Sequence, residues 1–104
     1  MIDVVTPYGT YQNCRVQLDT YQADGSVCIG LWNDEDGPIA RLTVCLSDNT
    51  LEDMESYVDL NNCPWALNLI NRYKLGEQTG KIGFSGYCSY PVVHFDRDTL
   101  EKHM

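Results

Sequence analysis

Cys14-Arg15-Val16-Gln17-Leu18-Asp19, followed after an Asp24-Gly25 turn by Val27-Cys28-Ile29-Gly30-Leu31-Trp32, carries the reading on which the fold rests. Apolar side chains recur at every second position in both runs, the period of a strand with one buried face. Cys14, Val16 and Leu18 share one face, while Arg15, Gln17 and Asp19 take the other. Asp-Gly between two such runs is a strong signal for a two-residue hairpin. Further out, Ala40, Leu42, Val44 and Leu46 alternate with Arg41, Thr43 and Cys45 beyond a turn at Asp34-Glu35-Asp36-Gly37-Pro38. Upstream, Thr6-Pro7-Tyr8-Gly9 places Pro and Gly where a β-turn accepts them. The pattern predicts four strands, Ile2–Thr6 and residues 10–21, 26–33 and 39–46, joined as an antiparallel meander. One face of that meander is apolar. The other is mixed, with Tyr11, Tyr21 and Trp32 available for a second packing layer or for contact.

Residues 47–62 are acidic and poorly periodic, so a long connection is expected there, with one helical turn near residues 51–55. A helix follows over residues 64–74. Asn61 or Asn62 can cap it, Pro64 suits its first turn, and Leu75-Gly76 supplies a stop. Trp65, Leu69, Ile70 and Tyr73 recur at helical spacing and would cover the apolar sheet face. Residues 79–85 and 87–95 read as two short, irregular strands interleaved with Gly80, Gly83 and Gly86. Pro91 confines the last strand to an edge or a bulge. Asp96 is placed to cap a short tail helix containing Thr99-Leu100-Glu101. The expected fold is α+β, an antiparallel sheet of five or six strands with one main helix packed on one face, in a single domain spanning 1–104.

A chain of 104 residues suits one domain, and 43% hydrophobic with 21% charged residues is too apolar for a disordered one. No apolar run approaches the roughly 20 residues that cross a bilayer, and Met1-Ile2-Asp3-Val4 lacks the regions of a signal peptide. The expected location is cytoplasmic, without membrane contact. Cys14, Cys28, Cys45, Cys63 and Cys88 form an odd set with no C-x-x-C pair. Free thiols buried as small hydrophobes are therefore expected, not disulfides or a zinc ribbon.

The net charge of −8 is unevenly distributed. Between Asp19 and Asp59 ten acids (Asp19, Asp24, Asp34, Glu35, Asp36, Asp48, Glu52, Asp53, Glu55, Asp59) face Arg41 alone, a net of −9, and the remainder carries +1. Such a field repels DNA and RNA and favours basic partners, including the Lys/Arg channels of nucleic-acid-binding proteins. The competing reading is a solvated surface that confers solubility.

Catalytic motifs are weak. Cys63 precedes Pro64 at the expected helix start, where a thiol pKa is lowered, and His94 is a conceivable base, but no nucleophile signature surrounds either. A structural cysteine is the simpler reading. Cys88, His94 and His103 do not match a zinc spacing, and His103 reads as a free tail residue. Gly80-Lys81-Ile82-Gly83-Phe84-Ser85-Gly86 fits neither phosphate-loop pattern and suits bulges in a twisted sheet. Arg72, Lys74 and Lys81 make a modest basic spot that reads as a solvated helix end. The acid pairs in Glu52-Asp53-x-Glu55 and Asp34-Glu35-Asp36 lie in turns, which favours solvation over acid/base chemistry. No enzyme, metal or cofactor is expected.

Val58-Asp59-Leu60-Asn61-Asn62-Cys63-Pro64-Trp65, the stretch Thr79-Gly80-x-x-Gly83-x-Ser85-Gly86-Tyr87-Cys88-x-Tyr90-Pro91 and the opening Thr6-Pro7-Tyr8-Gly9-x-Tyr11 resemble a family of small acidic proteins of unknown function. That family is encoded on conjugative and phage-like mobile elements of gut Firmicutes, and the resemblance extends over nearly the whole chain. It implies a setting of bacterial counter-defence, in which anti-CRISPR proteins present carboxylates to the Arg and Lys residues that hold DNA. The expected function is inhibition of a host nucleic-acid-targeting complex by binding a basic protein partner, a CRISPR-associated nuclease, without direct DNA binding. The expected contacts are Asp34, Glu35, Asp36, Glu52, Asp53, Glu55 and Asp59, on the view that loops project binding side chains. The alternatives are a non-catalytic accessory or regulatory protein of an element's transfer machinery and, third, a thiol enzyme using Cys63.

Overall fold

The alternation of the first half becomes a meander in a computed structural model that describes residues 1–46 and 50–104. Strands β1 (Ile2–Thr6), β2 (Gly9–Thr20), β3 (Val27–Asn33) and β4 (Gly37–Arg41) pair antiparallel in that order. Cys14, Val16, Val27, Ile29 and Leu31 are buried, as their spacing requires. The Asp24-Gly25 turn is longer than the expected two residues. Tyr21 and Ser26 close the loop, with the Tyr21 N–H donating to the Ser26 carbonyl at 2.8 Å. Inside it the Asp24 carboxylate accepts from both the backbone N–H (2.9 Å) and the hydroxyl (2.6 Å) of Ser26. An Asp side chain that captures the backbone two residues on builds its own turn, which here displaces the tight hairpin.

A second sheet of four antiparallel strands follows in the order β5-β6-β8-β7, built from β5 (Thr43–Val44), β6 (Glu55–Val58), β7 (Gly76–Ser85) and β8 (Cys88–Phe95). The strand expected over residues 39–46 is thus shared between two sheets. Leu42 makes the transfer. Its N–H donates to the Ile29 carbonyl at 2.8 Å, and its own carbonyl accepts from the Asp59 N–H at 2.8 Å. The expectation of one sheet of five or six strands with one main helix is corrected to two four-stranded sheets with two short helices, α1 (Ala66–Tyr73) and α2 (Arg97–Lys102). Alternation continues through Leu42, so the change of pairing partner leaves no mark in the sequence. Strand β6 was hidden for a different reason: all four of its residues are buried, and a strand covered on both faces shows no alternation. It replaces part of the connection expected over residues 47–62, whose opening, residues 47–49, lies outside the described residues. No helical turn forms near residues 51–55; a turn there leads directly into β6.

The second sheet is packed on both sides. Val58, Val93 and Phe95 join Ile2, Val16, Ile29, Leu31 and Leu42 in the main core, together with Leu69, Ile70 and Leu75. Tyr57, Tyr90 and Val92 face away into a smaller cluster with Val44, Leu46, Leu51 and Cys88. Pro91 lies on β8, an interior strand, where the register shifts between Gln78 and Ile82. The bulge is therefore correct and the edge position is not, because β7 occupies the edge. Here Pro91 is tolerated because β6 pairs with β8 only as far as Val92.

Helix α1 begins at Ala66, later than expected. Neither Asn61 nor Asn62, the two expected caps, serves: Trp65 stands at its N-terminus without a side-chain cap bond, and Asn62 bonds to Asp59. Leu69 and Ile70 are buried, while Trp65 and Tyr73 are half-buried against the core. The Tyr73 hydroxyl fastens the helix to β1, accepting from the Asp3 N–H at 2.9 Å. The helix ends at Lys74, in the left-handed region with φ 56 and ψ 41, and the Leu75 N–H reaches back to the Ile70 carbonyl at 2.9 Å. Glycine is the usual residue at such a position, since a Cβ is disfavoured there. Lys74→Gly is expected to raise stability by about 0.5–1 kcal/mol, read as a higher urea midpoint at unchanged slope. Gly76 does not stop the helix; it opens β7, where an added Cβ would lie 2.6 Å from the His94 carbonyl oxygen.

Asp96 caps α2 as expected, accepting from the Asp98 N–H at 3.1 Å and the Thr99 hydroxyl at 3.0 Å. These bonds, above all those from Thr99, hold its carboxyl below the usual range. His103 is not a free tail residue. Its carbonyl accepts from the Val16 N–H at 2.8 Å, and its ring stands edge-on to Tyr73 at 5.7 Å. The pairing of β1 with β2 ends at Cys14, so the C-terminal segment takes over that edge of β2.

Candidate binding surface

The acidic turn Asp34-Glu35-Asp36 is built on a buried asparagine. Asn33 pairs with Gly37 across the β3–β4 hairpin, and Gly37 takes a φ of +71, the left-handed residue that closes a three-residue loop. The Asn33 Oδ1 accepts from the Asp36 N–H at 2.6 Å. Its Nδ2 donates to the Asp36 carboxylate at 3.2 Å and to the Gln12 carbonyl on β2 at 3.3 Å. Asp34, Glu35 and Asp36 are all exposed on a backbone tied to two strands.

Glu52 and Asp53 are exposed on the turn that leads into β6. Glu55 and Asp59, expected in the same binding set, are buried and engaged internally. The Glu55 carboxylate accepts from the Glu52 N–H at 2.9 Å and from the Lys81 ammonium on β7, the one salt bridge among the described residues. Burial pushes its pKa up, but the bonded Lys81 ammonium and Glu52 N–H outweigh that and leave the carboxyl below its ordinary range. Asp59 accepts from the Asn62 N–H at 3.2 Å and from the Asn62 side-chain amide at 2.8 Å, shaping the approach to α1. Glu55 lies on β6, not on the expected connection, whereas Asp59 does lie in the connection just past β6, but buried. Of the seven expected contact residues, Asp34, Glu35, Asp36, Glu52 and Asp53 stand open to solvent.

Cys63 and His94 are kept apart. Cys63 is buried, its thiol donates to the Arg41 carbonyl at 3.4 Å, and burial and the Asp59 charge raise its pKa. His94 lines a separate groove of about 870 Å³ with Lys74, Glu77, Asp96 and Arg97. A raised pKa and a distant base are the opposite of an activated nucleophile. Cys88 belongs to the small Tyr57 cluster and His103 contacts Tyr73, so the set Cys88, His94 and His103 is dispersed. Among the described residues no three His, Cys, Asp or Glu side chains converge as metal ligands. The glycines serve the sheet: Gly80 (φ 89) lies in the bulge of β7, and Gly86 (φ 61) in the turn to β8. In the basic spot, Lys81 is held by Glu55 and the Arg72 guanidinium lies 5.3 Å from the Tyr73 ring centroid.

The fold brings together two distinctive segments that lie far apart in the sequence. Tyr8 and Tyr11 from the β1–β2 hairpin and Asn62, Cys63 and Trp65 before α1 line one cavity of about 370 Å³. Their separation along the chain concealed this. No helix among the described residues is long and apolar enough to cross a membrane.

Residues 15–104 match the model of a family described as "Domain of unknown function (DUF4313)". No curated protein matches the chain, and no solved structure does.

Proposed function

From the premise that this chain belongs to the DUF4313 family, whose description assigns no activity, we propose that it is a non-catalytic inhibitor that binds a basic protein partner through its acidic turns. The partner proposed is a nucleic-acid-targeting defence complex, in the first place a CRISPR RNA-guided nuclease. One observation carries the reading: Asp34, Glu35 and Asp36 are exposed together on a hairpin loop that Asn33 holds in shape. Carboxylates held in place lose less entropy on binding than mobile ones, and with guanidinium groups they form charge-assisted, sometimes bidentate bonds. Spaced along a rigid turn, they stand where phosphates would stand in a basic channel. Glu52 and Asp53 form a second exposed pair. Glu55 and Asp59 are left out of the binding set, because opening either would break internal bonds.

The test is a pull-down of candidate nucleases with a DNA-binding competition. The triple variant Asp34→Lys, Glu35→Lys, Asp36→Lys is expected to lose binding by at least about 100-fold, since truncating one side of a buried interfacial charge pair alone costs about 2–5 kcal/mol. Binding should also weaken as salt rises and the Debye length contracts from about 10 Å at 0.1 M. Inhibition and binding equal to wild type in the triple variant would refute the acidic-turn mechanism.

A further inference from the structure

The edge of the second sheet carries an apolar surface of a different kind. β7 is the terminal strand of the order β5-β6-β8-β7, so among the described residues one side of its backbone has no neighbouring strand. Ile82 and Phe84, two positions apart on β7, are 57% and 74% exposed, and Tyr87 in the adjoining turn is fully exposed. Large side chains this open on a strand edge are uncommon in a protein that has no use for them. The stretch from Gln78 to Val93 contains one charged residue, Lys81, and the buried Glu55 already holds its ammonium group.

We propose that β7 is a self-association edge, pairing antiparallel with β7 of a second copy of this chain. The charge distribution favours a second copy over an unlike partner. A two-fold axis sets a segment against itself, so any net charge on it would face its own image. In a chain of net charge −8, this strand tip has its only cation neutralised internally. Its pattern is also self-complementary. With the axis at Gly83, Ile82 of each copy lies across from Phe84 of the other, a β-branched residue against an aromatic one, which is a favourable cross-strand pair. Gly83 itself faces inward onto Tyr57 and adds no side chain at the axis. The bulge around Gly80 limits the pairing to the tip of the strand. Ile82, Phe84 and Tyr87 offer on the order of 500 Å² per copy, below the roughly 800 Å² per partner of a standard stable interface. The dimer is therefore weak, with a dissociation constant in the range of tens of micromolar. It is independent of the acidic turn Asp34-Glu35-Asp36, which belongs to the first sheet and is duplicated by pairing.

Sedimentation equilibrium of the full chain, from about 5 μM to about 1 mM, reads this directly. The expected result is a reversible monomer–dimer equilibrium that holds or tightens as salt rises, because screening relieves the repulsion between two acidic bodies. That is opposite to the salt response of the proposed inhibitor complex, so each idea can fail alone. Phe84→Lys should weaken the dimer at least about tenfold, while Tyr8→Lys, which alters a still more exposed aromatic on the β1–β2 hairpin, should leave it unchanged. Backbone amide exchange at residues 82–85 should slow as concentration rises, a readout that needs no variant. A monomer throughout the range, including one whose β7 pairs only with an unlike protein, would overturn the proposal. So would a dimer indifferent to Phe84→Lys or broken by Tyr8→Lys.

Discussion

Gly83→Ala is expected to destabilise the protein by about 3 kcal/mol, the upper end of what overpacking costs. A Cβ there would overlap Cε1 of Tyr57 and lie 2.8 Å from Cδ1 of Leu46. The Leu46 methyl ends a half-buried, flexible side chain and can turn aside, but the contact with Tyr57 cannot be relieved cheaply. The Tyr57 ring is almost fully buried and its hydroxyl lies 3.1 Å from that of Thr50, so it has no empty volume to enter. The strand must lift from the small cluster of Tyr57, Tyr90 and Val92, and urea unfolding should show a lower midpoint. A loss below about 0.5 kcal/mol would mean that β7 moves freely over Tyr57 and that the second cluster contributes little packing.

Lys81→Met is expected to reverse the way stability responds to acid. In the native protein the Glu55 pKa lies below its unfolded value, so the Glu55 contribution is fully present above the ordinary glutamate pKa near 4.3 and is lost as pH falls through the depressed folded value. Without the ammonium, burial dominates and the folded pKa rises above the unfolded one. Protonation then favours the folded state, and stability should increase as the variant is taken from pH 7 towards pH 5. At pH 7 the variant should lose about 1–2 kcal/mol, less than for a fully buried pair because the Lys81 side chain is 44% exposed and partly screened. Glu55→Gln in the same background removes the charge and should flatten that pH response. Denaturant midpoints at a series of pH values test the sign. A Lys81→Met curve parallel to wild type between pH 7 and pH 5 would show that the pair does not set the titration of Glu55.

Glu55 also shows where sequence reading stops. The meander was legible because its strands expose one face: Val16, Ile29 and Leu31 alternate with residues that water can reach, so burial leaves a period. Helix α1 is legible from Trp65, Leu69, Ile70 and Tyr73 at helical spacing, and α2 from Asp96, whose capping chemistry is local. Strand β6 had no such mark. Its buried Glu55 and Ser56 are polar, and it is folding that supplies Lys81, the partner that makes the burial of Glu55 tolerable. Without a period to mark β6, Glu55 reads as a loop acid, while Asp59 is a loop acid whose burial only the fold shows. The acidic turn was found correctly as a turn because Asp, Gly and Pro act locally, but the role of Asn33 beneath it was not, since its tie to Gln12 depends on the pairing of β2 with β3. The meeting of Tyr8, Tyr11 and Trp65 was likewise invisible, because proximity between distant segments is set by topology and not by spacing.

The bond from Val16 to His103 has a bearing on how the protein is made. Chains leave the ribosome N-terminus first at about 5–20 residues per second, and domains tend to fold as units once their parts have emerged. The meander is complete early in synthesis, but the segment that covers β2 beyond Cys14 is translated after the strands of both sheets. For on the order of ten seconds the nascent first sheet carries an open edge and an uncovered apolar face that α1, β8 and α2 will later close.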